Sequence, residues 1–229
     1  MSAQSGVLPP EGVRTMFDRI APVYDLMNRV MTAGLDGRWR RLAAEAAVRP
    51  GDRVLDACCG TGDLALAAAR AGGDVTGLDF SERMLERARR KGPELEWLRG
   101  DLLELPFEDA SFDAATVGFG IRNVESLERG LAELRRVLRP AGRLAILEIT
   151  TPRGPLRVFY RLWFDRLVPL LVGRILRGGT AYEYLPASVR RFPAPEGLAE
   201  TMKAAGFGDV RFRRLAGGIV ALHVGEAAA

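Results

Sequence analysis

The chain of 229 residues is poor in the side chains that usually build redox, metal and disulfide sites. Its two cysteines, Cys58 and Cys59, are neighbours and cannot staple distant segments. A bridge between them would strain the backbone, because ordinary disulfides need Cα atoms farther apart. Nothing in this usage points to an oxidising compartment, and the cytoplasm is the expected location. One histidine, His223, beside a single cysteine pair leaves no credible ligand set for a transition metal. Lysine is nearly absent: Lys91 and Lys203 are the only two among 33 basic residues. Against 29 acids these give a net charge of +4, spread in short clusters such as Arg38-Trp39-Arg40-Arg41 and 211–214. The dense basic stripe that nucleic acid requires is missing. A weak attraction to an anionic membrane surface fits the same charge. No stretch reaches the ~18–20 apolar residues of a spanning helix. The most apolar one, 156–176, is broken by Arg157, Arg161, Asp165, Arg166, Pro169 and Arg174. The opening MSAQSGVLPPEG lacks a charged start and an apolar core, so no secretory leader is expected in it.

What is present is a globular composition, 48% hydrophobic and 27% charged, sufficient for one α/β domain over 1–229. Residues 1–12 read as a loose lead, and 13–48 as a helical cap broken at Pro22 and Gly34. Then short apolar runs alternate with helical segments. Strands are expected at 53–57, 74–79, 95–99, 112–118 and 143–149, and helices at 64–70, 82–91 and 127–138. Apolar strands alternating with helices predict a mostly parallel sheet covered on both faces. Ser81 is a natural N-cap, and Arg139-Pro140-Ala141-Gly142 reads as a helix end turning into a strand. An inserted lid segment spans 155–190, with an aromatic, apolar helix pair around Pro169 in 155–177. A last helix at 195–205 and strands at 210–215 and 219–224, joined by Ala216-Gly217-Gly218, close the chain.

The chemistry concentrates at the strand tips. A strand ending in Asp56 runs into Gly60-Thr61-Gly62 and then a helix, a geometry that lets backbone approach a ligand and aims free N–H groups at it. Asp79, 17 residues past Gly62, sits at the next strand tip, where an acid accepts hydrogen bonds from ribose hydroxyls. Asp101 and Leu102 follow the third strand. Gly60 to Ala65 also satisfies the dinucleotide pattern, so a nicotinamide-dependent oxidoreductase is the rival reading. Against it, Asp63 would face a pyrophosphate with negative charge, as would Asp56 at the strand end. A cofactor carrying an amine and a sulfonium tolerates those carboxylates.

The motifs VLDxxxGTGD, Gly77 to Ser81, Gly100-Asp101 and Leu105 to Asp113, in this order, resemble the class I S-adenosylmethionine-dependent methyltransferases. The resemblance implies a Rossmann-like seven-stranded sheet with the last strand antiparallel. It further implies S-adenosylmethionine as cofactor, Asp79 on its ribose, Asp101-Leu102 framing its adenine, and the glycine loop facing its methionine end. More specific pieces are Phe17 to Ala21, Tyr24 to Asn28, Gly118 to Val124, Arg136 to Leu144, Tyr182 to Val189 and Gly217 to His223. Together these resemble the ubiquinone/menaquinone biosynthesis C-methyltransferases over nearly all of 13–224. Thr32 and Asp36 stand before Trp39 where that family usually has Ser and His, and Gly118 stands where many members have serine, leaving backbone alone to contact the cofactor.

The resemblance implies C-methylation of a prenylated quinol, demethylmenaquinol or a 2-polyprenyl-6-methoxy-benzoquinol. Such a reaction needs alignment of carbon, methyl and sulfur, and stabilisation of a developing phenolate. Arg122 and Asn123 lie just past the fourth strand tip, where open α/β sheets bind ligands. Arg122 is expected to lower the phenol pKa and Asn123 to orient an oxygen. A guanidinium is a poor base, and simple pairing of Arg122 with a carboxylate is the competing reading. Tyr184 joins them as a catalytic candidate, with Tyr24, Asp25 and Glu148 behind. His223 alternates with Ile219 and Ala221 and reads as structural. Phe159, Tyr160, Trp163 and Phe164, interleaved with arginines, form either a packed lid or a gate for the prenyl tail resting on the bilayer. The expected partners are the quinol, the inner face of the cell membrane through a peripheral contact, and a second copy of the chain. A nucleotide-binding domain without turnover is the non-enzyme alternative.

Overall fold

The computed structural model describes residues 9–152 and 181–228. Three helices lead: α1 (Pro10–Ile20), α2 (Tyr24–Met31) and α3 (Asp36–Ala47). Helix α1 begins inside the stretch expected to be a loose lead, because Pro10 occupies the first helical position, where a missing N–H costs nothing. Its Val13, Met16, Phe17 and Ile20 recur at one face and turn inward. Breaks fall near Pro22 and Gly34, as the sequence requires.

The sheet follows: β1 (Arg53–Ala57), α4 (Asp63–Arg70), β2 (Asp74–Asp79), α5 (Glu82–Lys91), β3 (Glu96–Arg99), β4 (Phe112–Gly118), α6 (Leu127–Val137) and β5 (Leu138–Ile149). After the segment outside the description come α7 (Ala181–Arg191), α8 (Pro195–Ala204), β6 (Phe207–Leu215) and β7 (Val220–Ala227). The seven strands are ordered β3-β2-β1-β4-β5-β7-β6. Strands β1 to β5 pair in parallel, and β7 lies antiparallel between β5 and β6. This is the class I, Rossmann-like methyltransferase fold. Alternate residues of each strand feed opposite faces. Val54, Val75 and Ala114 join α3, α4 and α5 on one side, and Leu55, Ala115 and Ile146 join α6 and α8 on the other. Each fully buried leucine, such as Leu131 or Leu144, contributes roughly 1.5–3 kcal/mol.

The last two strands run longer than the sequence reading, Phe207–Leu215 against 210–215 and Val220–Ala227 against 219–224, and the largest difference is at β5. Strand β5 starts at Leu138, not Arg143: Phe112 pairs with Leu138 and Ala114 with Arg143, so Arg139 to Gly142 bulge out of a continuous strand, with Ala141 at φ +59°. The helix pair expected at 155–177, and with it Phe159, Tyr160, Trp163 and Phe164, lies outside the described residues.

Because β1 to β4 are parallel and their order turns back at β1 and β4, their C-terminal tips share one edge with a crevice at the reversal. Helices α1 to α3 and α7 cover it.

Candidate active site

Past Ala57 the chain makes a tight loop, with left-handed backbone at Cys58, Gly60 and Gly62 (φ +54°, +56° and +86°). The carboxylate of Asp79 fixes it, accepting the N–H groups of Gly60 at 2.8 Å and Ser81 at 2.9 Å. Burial raises the Asp79 pKa to about 6 against the pull of those bonds. A side chain on Gly60 would meet little beyond the Tyr24 ring edge at 4.0 Å, so this glycine is set by its backbone conformation. Gly62 is different. A Cβ there would sit 2.5 Å from the Trp97 ring, so its place is taken by packing, not by open space. The cysteines fill gaps of the same kind: Cys58 lies against Gly120, and Cys59 sulfur against Gly77. Burial, with the Asp79 and Asp56 charges nearby, pushes both thiols well above their ordinary range and so favours the protonated form over the thiolate.

Two cavities open at the crevice. The first is walled by Cys58 to Thr61, Asp79, Phe80, Met84, Gly100 to Leu103, Gly118 to Gly120 and Asn123, under Val13, Phe17 and Tyr24. The second lies among Met16, Ile20, Met27, Met31, Trp39 and Ile149, with Arg122 and Tyr184 in its wall. They share Phe17, Tyr24, Arg40 and Phe119. Of the residues expected around a cofactor, Gly60, Thr61, Asp79, Asp101, Leu102 and Gly118 line the first cavity. Asp56 and Gly62 do not. Asp56 is fully buried behind the loop, where Thr116 Oγ1 donates to its Oδ1 at 2.7 Å, and burial lifts its pKa to about 7. The Thr61 hydroxyl is spent inside the protein: it donates to Asp25 and accepts from Lys91 Nζ at 3.0 Å. At Gly118 a Cβ would lie 2.9 Å from Leu64, so this position has no room for a side chain without movement.

Arg122, Asn123 and Tyr184 are brought together. Arg122 Nη1 meets Glu148 Oε1 at 2.7 Å in an ion pair that is almost fully buried, and also donates to the Phe119 carbonyl. Burial pulls the guanidinium pKa down, but the Glu148 charge and hydrogen bond, with Tyr24 and Tyr184 nearby, together outweigh it and hold Arg122 charged. Tyr184 Oη donates to Asn123 Oδ1 at 3.2 Å, and burial raises its phenol pKa. His223 lies on β7 and lines neither cavity, its Nε2 2.9 Å from the Pro195 carbonyl and its ring stacked on Phe212. No cluster of metal-ligating side chains occurs among the described residues.

The ubiE/COQ5 methyltransferase family model matches residues 6–227, nearly the whole chain. The chain belongs to the ubiE/COQ5 methyltransferase family. Among its relatives, a demethylmenaquinone methyltransferase of Thermus thermophilus is 48% identical over 219 residues, covering 92% of this chain and 99% of that protein. A 2-phytyl-1,4-naphtoquinone methyltransferase of Synechococcus elongatus is 42% identical, covering 96% and 99%. Among solved structures, a SAM-dependent methyltransferase of Thermotoga maritima has a TM-score of 0.66 at 23% identity, covering 93% and 98%. The [4+2]-cyclase SpnF has a TM-score of 0.73 at 18% identity over 99% and 100%. These last two are likenesses of fold alone.

For a ubiE/COQ5 methyltransferase the fold and family imply S-adenosylmethionine, and the first cavity fits it. A carboxylate stands at the tip of β2 and another just past β3, and the loop between β1 and α4 presents backbone instead of side chains. The sequence reading missed Phe17, Arg40 and Phe119 as residues between the cavities. Arg40 was hidden in a basic cluster, although the helical period links it to Ala43, Ala44 and Ala47, all buried.

Proposed function

We propose that this methyltransferase places a methyl group on a ring carbon of a prenylated hydroquinone, taking demethylmenaquinol to menaquinol. The observation that carries the reading is the second cavity, a mostly apolar chamber sharing a wall with the cofactor cavity. A flat ring and an isoprenoid tail suit such walls. The two curated relatives quoted above bear the names of naphthoquinone methyltransferases, which favours the fused ring over a benzoquinol.

S-adenosylmethionine, when bound, supplies an electrophilic methyl group on a sulfonium. The protein's part is to make one ring carbon nucleophilic and hold it in line. Arg122, kept charged by Glu148, sets a positive charge in the wall of the substrate chamber. That charge favours the phenolate over the phenol, and electron density moves onto the ring. The guanidinium itself takes no proton, so water receives it. The Tyr184–Asn123 pair orients the ring oxygen. Phe17, Tyr24 and Phe119 keep bulk water from the shared wall. The same proposal sets the protein against the inner face of the cell membrane. Leu26, Val30 and Leu35 are its exposed large apolar residues among those described, Leu35 lines the substrate chamber and the other two lie on α2, whose Met27 and Met31 line it, and Arg29, Arg38 and Arg41 are exposed as well.

The test is incubation with methyl-labelled S-adenosylmethionine and each reduced quinone, followed by mass spectrometry of the ring. Label on the naphthoquinol is the expected result. Label on the benzoquinol alone would overturn the substrate, and hydride exchange with a nicotinamide in place of any label would overturn the reaction.

A further inference from the structure

Arg40 is the charged side chain that belongs to both cavities. Only 5% of it is exposed, deep in α3 on the face that carries Ala43, Ala44 and Ala47. A guanidinium taken out of water needs a counter-charge and acceptors for its five donors. What it has falls short: the buried Asp56 carboxylate feels its charge, yet neither Arg40 Nε nor Asp56 Oδ2 has a hydrogen-bond partner. The ion-pair partner of Arg40 among the described residues is Asp36, with Oδ2 3.7 Å from Nε, beyond hydrogen-bonding distance. The other Asp36 oxygen, Oδ1, lies 3.1 Å from the Thr32 hydroxyl. The Phe119 ring lies under the guanidinium at 5.2 Å, which supports the charge but satisfies no donor.

The guanidinium tip points to the cofactor cavity. Its Nη1 lies 3.5 Å from where a Cβ on Gly118 would stand, at the tip of β4. Along the sheet edge the order is Asp101 after β3, Asp79 on β2, the glycine loop after β1, then Gly118 and Arg40 at β4. Three inter-strand steps separate the ends of that row, roughly 14 Å. One end offers carboxylates to hydroxyl and amine donors; the other offers an under-used cation.

We propose that Arg40 anchors the carboxylate of the amino-acid tail of the cofactor. This rests on the reading of the first cavity as the S-adenosylmethionine site. That carboxylate is the cofactor's one anionic group, and a bidentate guanidinium is its natural counterpart. Held at β4, it fixes the end of the cofactor next to the wall shared with the substrate chamber.

The experiment is calorimetric binding, without quinol, of S-adenosylmethionine and of decarboxylated S-adenosylmethionine, which keeps the sulfonium and amine and lacks the carboxylate. Wild type prefers the intact cofactor by roughly 10–100-fold, the range of a charge-assisted hydrogen bond. In Arg40→Met that preference shrinks to about threefold or less, because the intact ligand loses affinity and the decarboxylated one does not. Arg40→Gln, which keeps length and polarity, behaves alike and decides the matter where Arg40→Met does not fold. A preference left at its wild-type value in the variants, or an equal loss for both ligands, overturns the assignment of Arg40. Wild type binding neither ligand overturns the reading of the cavity itself.

Discussion

At the scale of single residues, two buried acids set the pH behaviour. Asp56 has one oxygen on Thr116 and the other, Oδ2, without a partner. Its folded pKa of about 7 stands above the ordinary 3.8, and Asp79, at about 6, moves the same way. A folded value raised above the unfolded one stabilises while the group is protonated. The contribution is therefore complete below pH 4 and is lost as pH climbs through 7. Asp56→Asn keeps an acceptor for Thr116 and removes the titration. At pH 8 it is expected to be more stable than wild type by about 2 kcal/mol, half of the ~4 kcal/mol that a three-unit shift represents. Near pH 4 the difference closes. Urea unfolding across that range checks it, and parallel pH curves for the two proteins would refute it. The Arg122–Glu148 pair gives a second expectation. Arg122→Ala strands a buried carboxylate and costs about 3–5 kcal/mol of stability, whereas Arg122→Met with Glu148→Met recovers most of it. If Arg122 acts on the phenol, the repaired double variant still loses at least about tenfold in kcat/KM. Full activity in that variant would reduce Arg122 to a structural ion. The motif after β4 made Arg122 and Asn123 legible, and strand position made Glu148 a candidate. That Arg122 and Glu148 bind each other was not legible, since they stand 26 positions apart with a helix between them.

At the scale of elements, α5 and its N-cap pin the cap at three points among the described residues. Ser81 Oγ caps α5 and donates to Asp18 on α1. Arg87 reaches the Pro22 carbonyl at 2.9 Å. Lys91, at the end of α5, bridges Asp25 of α2 at 2.8 Å and Asp63 of α4 at 2.7 Å. Lys91→Met leaves those two acids facing one another across Thr61. It is expected to cost about 1 kcal/mol and to speed amide hydrogen exchange in 24–31 several-fold, with the core strands unchanged. Unchanged exchange in 24–31 would mean that the other two pins suffice. The strands β1, β2 and β4 and helix α5 were legible to the residue, because apolar runs, acids at strand ends and the Ser81 cap all agree. The start of β5 was not. Arg139-Pro140-Ala141-Gly142 has the composition of a turn, and only pairing with β4 turns it into a bulge.

At the scale of the whole molecule, the exposed apolar residues and the arginines stand together on the cap, beside the chamber proposed for the quinol. The expected outcome is binding to anionic vesicles that falls at least about fivefold when Leu26, Val30 and Leu35 are replaced by serine, with kcat on a soluble short-tail quinol retained. Co-sedimentation measures it; equal binding of the variant would remove this face from the membrane. No described helix is long and apolar enough to cross a membrane.

The wall of Phe17, Tyr24, Arg40 and Phe119 has one more consequence. Residues that roof the first cavity are also the side of the second. If the quinol occupies the chamber proposed for it, it touches side chains that also cover the first cavity. On the proposed reading the cofactor is expected to bind before the quinol and its product to leave last, and product inhibition checks it: S-adenosylhomocysteine competing with the quinol would refute that order.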